Sequence, residues 1–273
     1  MNQQTQLVVT GLPAFSDNYL WLLQRDGDAA IVDPGEAQVV ERALEERGLR
    51  LTAILLTHHH ADHTGGAAEL AARHRCPVYG PAGEAISATT VRLDEGDMFE
   101  AVGVRFTTIA VPGHTLGHVA YAAREPAMVF CGDTLFAAGC GKLFEGTPAQ
   151  MWRSLRQLAA LPDDTEVYCG HEYTVSNIRF ARLADPANLA LADRQQEAAG
   201  LRARGLPTLP STIGRERLTN PFLRADEPVI AERAASMAHS PAVRAELERQ
   251  TGGPAPAGAV QTLAILRAWK NTV

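Results

Sequence analysis

Between residues 55 and 66 the chain reads Leu-Leu-Thr-His-His-His-Ala-Asp-His-Thr-Gly-Gly, and few folds can hold that run. The apolar stretch LTAILLT (51–57) before it has the look of a buried strand, and a helix is expected from Gly66 to His74. Three imidazoles and a carboxylate set against a buried strand would cost several kcal/mol if left without partners. A metal centre removes that cost. Alternating residues at a strand end point the same way, so His58 and His60 are expected to grip one ion. Asp62 and His63 then sit on the following turn and face a neighbouring ion. Two metals about 3.5–4 Å apart are a common hydrolytic device.

The remaining ligands have to come from other strand ends. His114 lies in VPGHTLGH, Asp133 ends AMVFCGD, and His171 ends EVYCGH. Each alone would suit a turn or a cap; together with 58–63 they complete two coordination shells. His59 alternates away from its neighbours and reads as packing or support. His118 opens a strand and can support a ligand, whereas His74 and His239 read as helix-surface residues.

Around these positions the first half reads as short strands broken by turns: 7–14, 19–24, 29–34, 51–57, 104–112, 118–124, 127–133 and 166–171. Helices are expected at 36–48, stopped by Gly48, and at 147–160, opened by Thr147 and Pro148. After Tyr173 no convincing strand follows. Helical runs take over at 174–184, 187–204, 228–237, 241–250 and 260–270, joined by the loops GLPTLPSTIG and TGGPAPAG. The expected organisation is a mixed α/β domain over 1–173 and a helical domain over 174–273.

Composition narrows the function classes. A net charge of −6 argues against a nucleic-acid binder, which usually carries a basic domain. No apolar run approaches the roughly 18 residues that cross a bilayer, and the N-terminal MNQQTQLVV lacks a signal-peptide pattern. A cytoplasmic protein is expected, with no membrane or nucleic-acid partner, acting as a monomer. The four cysteines form neither a CxxC pair nor a disulfide framework, and read as reduced thiols.

THHHADH, with His114, Asp133 and His171 in their order and settings, resembles the metallo-β-lactamase fold superfamily. That resemblance implies an αβ/βα sandwich, α/β in class, with a dinuclear site at one edge of its two sheets. It implies that His58, His60 and His114 hold one metal, that Asp62, His63 and His171 hold the other, and that Asp133 bridges them. Fold alone does not set the reaction. GDTLFAAGCGKLFEGT (132–147), YCGHEYTVSNIRFA (168–181), NPFLR (220–224) and the terminal Arg267-Ala-Trp-Lys270 are similar to the hydroxyacylglutathione hydrolase (glyoxalase II) family, nearly end to end.

This closer resemblance implies that Lys142, Tyr173, Arg267 and Lys270 hold glutathione; Phe144 stands where some members carry a Tyr. It implies hydrolysis of S-(2-hydroxyacyl)glutathione, such as S-D-lactoylglutathione, to glutathione and D-lactate, the second step of methylglyoxal detoxification. The nucleophile would be a metal-bridging hydroxide, with Asp62 and Asp133 as the catalytic carboxylates. A thiol leaving group with a pKa of about 8.5 needs no dedicated acid. Of 25 basic residues 23 are Arg, and the two Lys are Lys142 and Lys270, either chance survivors or a need for a compact ammonium. Arg267 and Lys270, three apart on a helix, share a face, and their charges are expected near the surface. The cofactors would be two divalent ions, zinc first, with iron and manganese compatible because no thiolate selects zinc. Two alternatives differ in kind. A mononuclear iron persulfide dioxygenase would consume oxygen with glutathione persulfide, and an RNA-processing nuclease would show a basic exosite or arm.

Overall fold

A computed structural model describes residues 6–252 and 257–273 and divides into two compact units. Residues 1–5 and the 253–256 part of the second expected loop lie outside the described residues. The first unit comprises 1–110, 117–132 and 168–171; the second comprises 111–116, 133–167 and 172–273.

In the first unit, β1 (Val8–Ala14), β2 (Asn18–Arg25), β3 (Asp28–Val32), β4 (Arg50–Leu55), β5 (Val78–Pro81) and β6 (Val91–Leu93) form one sheet in that order. β1 to β3 are antiparallel, and β3 to β6 run parallel. Helices α1 (Ala37–Arg47), α2 (Ala61–Thr64) and α3 (Ala67–His74) fill the connections before and after β4. Leu20, Leu22, Ile31 and Ile54 pack with Val40, Leu44 and Leu70 of the helices into one buried cluster. The other face meets a second sheet, in which β7 (Met98–Ala101), β8 (Val104–Ala110), β9 (Val119–Arg124) and β10 (Ala127–Gly132) are all antiparallel. Aromatic pairs fill the space between the sheets: Tyr79 stacks on Phe99 at 4.6 Å, and Trp21 meets Tyr168 edge-on at 4.8 Å. β2 is therefore apolar on both faces, and its sequence runs unbroken instead of alternating.

The second unit holds the hairpin of β11 (Leu135–Phe136) and β12 (Gly139–Cys140), and α4 (Pro148–Ala159). Thr147 and Gln150 form a reciprocal capping box on α4, so the start expected from Thr147-Pro148 is observed. β13 (Glu166–Cys169) begins here and pairs with β14 (Ser211–Thr212). Helices α5 (Thr174–Ala184), α6 (Leu189–Ala203), α7 (Ile213–Thr219), α8 (Pro228–Met237), α9 (Pro241–Thr251) and α10 (Ala259–Lys270) complete the chain.

Two expectations need correction. A strand does follow Tyr173: β14 is two residues long and is held by its partner β13, so it has no periodic signal of its own. β5, β6 and β7 were not expected either, being only three or four residues each. Among the described residues no helix is long and apolar enough to cross a membrane.

Candidate functional site

In the first unit, β4 ends at Leu55, and residues 56–60 continue without regular structure into α2. The expected alternation at a strand end is therefore not what brings His58 and His60 together. The irregular turn does so, leaving His58 Nε2 3.1 Å from His60 Nδ1. Asp62 and His63 lie on a single turn of helix, where a plain turn was expected. His171, just beyond β13, is held by an isolated bridge to Asn18 and by the Tyr19 N–H donating to the Gly170 carbonyl at 2.9 Å. Asp62, His63 and His171 each offer a ligand atom within 4.8 Å of the others.

The orientation of the imidazoles follows from their outer partners. A carboxylate only accepts, so His63 Nδ1–H donates to Asp33 Oδ2 at 3.0 Å, and His171 Nδ1–H donates to Asp17 Oδ1 at 2.7 Å. Thr57 gives its hydroxyl proton to Asp33 Oδ2 at 2.7 Å, so its oxygen accepts from His58 Nδ1–H at 3.1 Å. Each ring thereby turns an Nε2 lone pair inward. Asp62 Oδ2 stands 3.4 Å from His63 Nε2 and 3.5 Å from His171 Nε2, and Asn18 Nδ2 donates to the same oxygen at 2.9 Å. Acceptors converging on acceptors suit a divalent cation, and outer carboxylates on ligand histidines are usual at metal sites. This chemistry fits divalent-metal binding.

The supporting residues occupy the space tightly. His118 is fully buried and stacks on His58 with ring centroids 4.5 Å apart. Gly132 has φ +46°, and a Cβ there would lie 2.4 Å from Thr57 Oγ1. His59 pairs with the buried Glu84, which also accepts from Gly117 N–H. His74 is partly buried and bonded to Glu41 of α1, so it ties two helices together, and His239 lies in the turn after α8; neither is the helix-surface residue expected.

In the second unit, His114 Nδ1–H donates to the Lys142 carbonyl at 2.9 Å and turns Nε2 towards Asp133 Oδ2, 3.5 Å away. Gly141 makes this approach feasible, because a Cβ there would lie 1.9 Å from the Asp133 carbonyl oxygen. A cavity of about 420 Å³ opens beside these two residues. Lys142, Tyr173, Arg267 and Lys270 all line it, so the structure gathers the four expected glutathione residues from separate parts of the sequence. Phe144 also lines it, ring-on-edge to His114 at 5.2 Å.

The Arg267 charge is not near the surface as expected, while Lys270 is partly exposed. Arg267 is 3% exposed, because residues Thr262 to Trp269 of α10 are all buried. Its guanidinium lies over Phe222 and donates to the Cys140 carbonyl and to Asn271 Oδ1, each at 2.9 Å. Arg267 Nε has no hydrogen-bond partner among the described residues. Lys270 donates to Asn177 Oδ1, and burial, then the neighbouring Arg267, lowers its pKa to about 7. The Cys140 thiol is raised by its burial. Asp33, Asp17 and Asn177 were not anticipated from the sequence. The only local signal was Asp33 in Val-Asp-Pro-Gly after a buried strand, which also fits an ordinary turn.

Residues 15–171 match the Metallo-beta-lactamase superfamily, and residues 172–273 match the Hydroxyacylglutathione hydrolase C-terminus. The chain is 52% identical to a hydroxyacylglutathione hydrolase of Cupriavidus taiwanensis, over 97% of its own length and 98% of the relative's. Among solved structures it is similar to the BLEG-1 B3 metallo-beta-lactamase, with a TM-score of 0.61 at 23% identity over 80% of this chain and 99% of that one. It is also similar to TTHA1623 in a di-iron-bound form, with a TM-score of 0.56 at 28% identity over 79% of this chain and all of that one.

Proposed function

Because the chain belongs to the hydroxyacylglutathione hydrolase family of the metallo-beta-lactamase superfamily, we propose that it hydrolyses S-(2-hydroxyacyl)glutathione thioesters, S-D-lactoylglutathione among them, to glutathione and the 2-hydroxy acid. The observation that carries this reading is the cavity in which Lys142, Tyr173, Arg267 and Lys270 line the same space as His114 and Asp133. A carrier with carboxylates fits a pocket with three cationic side chains, and its thioester end reaches the metal ligands.

Two divalent ions per chain would complete the site: His58, His60 and His114 would hold one, Asp62, His63 and His171 the other, and Asp133 would serve both. When bound, such ions supply Lewis acidity that polarises the thioester carbonyl and lowers the pKa of water. Zinc is the first candidate, and iron and manganese suit the same donors; the di-iron form of the similar TTHA1623 supports iron. The chain's own residues do the rest. Asp33, Asp17, Thr57 and the Lys142 carbonyl hold the ligand imidazoles in the Nδ1–H tautomer. In this reading Asp133 and Asp62 would supply negative charge at the reacting water, and Asp133 would accept its proton. The leaving thiol departs as thiolate near neutral pH, so no further acid is required.

The catalytic domain in this reading is 1–173 and the substrate-binding domain 174–273, acting as a cytoplasmic monomer without nucleic-acid or membrane partners. The test is hydrolysis of S-D-lactoylglutathione by metal-loaded protein, followed as loss of thioester absorbance alongside metal analysis. An intact substrate, with ready cleavage of another thioester or oxygen uptake with glutathione persulfide, would overturn it.

A further inference from the structure

The hairpin of β11 and β12 runs from just after Asp133 to just before Lys142, and Phe136 and Cys140 form part of the cavity wall. It is only six residues long, and its turn includes Ala138 at φ +55°, a conformation that disfavours an L side chain. Something outside the hairpin must hold it. The Ala138 N–H donates to Glu216 Oε2 at 2.8 Å, and Asn220 Nδ2 donates to the same oxygen at 3.0 Å. Asn220 Nδ2 also donates to the carbonyls of Phe136 at 3.1 Å and Gly139 at 2.9 Å, one on each strand of the hairpin. The other Glu216 oxygen accepts from Arg194 and from the Ser211 hydroxyl, and Arg194 donates to Thr219 Oγ1 as well. Glu216 and Asn220 are fully buried, and Arg194 is nearly so.

A buried ion pair is weak support for stability taken alone, because desolvating both charges offsets their attraction. Its geometry here points to another use. Glu216 spends one oxygen on Arg194 and Ser211 and the other on the hairpin strap, so the charge pair fixes where the hairpin lies. Across the hairpin, the Cys140 carbonyl accepts from Arg267, and the Phe136 ring packs edge-on against Tyr173 at 5.3 Å. Two glutathione-facing side chains thus rest on a hairpin that Glu216 and Asn220 hold.

We propose that Glu216 and Asn220, anchored by Arg194, are positioning residues for substrate binding: they clamp the 135–140 hairpin and thereby set Arg267 and Tyr173 against glutathione. This rests on the glutathione thioesterase reading given above. Neither residue lines the cavity, so their effect passes through the hairpin.

The test uses the full-length metal-loaded protein with Glu216→Gln and Asn220→Ala. In the glutamine variant an amide N–H₂ must face either the Ala138 N–H or the Arg194 guanidinium, donor against donor. KM for S-D-lactoylglutathione is expected to rise about tenfold, the scale of one lost buried hydrogen bond to a charge. Turnover at saturation and metal content should stay within about twofold of wild type, since this interaction is shared by ground and transition states. A purely structural role would lower the active fraction and leave KM untouched, and wild-type KM in either folded variant would overturn the proposal. Asn220→Ala leaves the Arg194–Glu216 pair intact, which keeps the test open should Glu216→Gln not fold. Wild-type protein that fails to turn over the substrate would refute the functional reading by itself. Amide exchange across 133–142 then decides the clamp: unchanged protection in both variants overturns it.

Discussion

Asp33→Asn replaces one atom of a buried carboxylate and should disable two imidazoles proposed to hold metal, His63 through its direct hydrogen bond and His58 through Thr57. Asp33 Oδ1 accepts from the Thr57 N–H at 2.8 Å, while Oδ2 accepts from the Thr57 hydroxyl at 2.7 Å and from His63 Nδ1–H at 3.0 Å. With Oδ1 kept as the amide oxygen, the N–H₂ group lands where two donors already point. His63 must then turn to the Nε2–H tautomer, whose inward nitrogen has no lone pair for a metal. Thr57 must accept from the amide and send its proton to His58 Nδ1, which forces His58 into the same tautomer. Flipping the amide instead sets its N–H₂ against the Thr57 N–H, leaving a buried donor unsatisfied at about 1–3 kcal/mol. Loss of such outer support costs about 10–100-fold in metal affinity, or roughly 1.4–2.7 kcal/mol. Two ligands are affected here, so the upper end is expected. The assay is competition for metal against a chelator of known affinity, with circular dichroism to confirm folding. Metal affinity within about twofold of wild type would refute the tautomer argument.

Further outcomes are expected at three residues. On the proposed two-ion site, Asp133→Ala would leave the cations facing each other with less negative charge, so metal content should fall, with turnover down at least about a hundredfold; plasma emission analysis beside the thioester assay checks it. Lys270→Met should raise KM about tenfold, or roughly 1.4 kcal/mol, with saturated turnover little changed in steady-state kinetics, whereas Arg267→Ala should also lower Tm because Cys140 and Asn271 lose a buried donor. The lowered pKa of Lys270 sets two pH dependences. With a pKa of about 7 folded against 10.5 ordinarily, the unfolded chain binds the extra proton between those values, so this buried amine destabilises the fold most below pH 7 and the penalty fades towards pH 10.5. Lys270→Met should therefore gain Tm chiefly at low pH. Wild-type KM should climb above pH 7 as Lys270 loses its charge, and pH-resolved kinetics of the variant should lack that climb.

What the sequence determined by itself was the chemistry that clusters along the chain. His58, His60, Asp62 and His63 fall within six residues, and His114, Asp133 and His171 each follow a strand that its own apolar run announces. The α4 start was equally legible, since a capping box and an N1 proline are local signals. Tertiary structure decided everything that depends on who meets whom at long range. His171 takes its tautomer from Asp17, 154 residues earlier, and Ala138 is held by Glu216, 78 residues later. An aspartate in Phe-Ser-Asp-Asn-Tyr and a glutamate inside a short helix carry no mark of those duties, because a carboxylate's role lies in the donors that folding brings to it. The same holds for Arg267. Helical spacing places it beside Lys270, but only the packing of α10 shows that Arg267 is buried and Lys270 partly so, and desolvation is the main cause that drives the Lys270 pKa down.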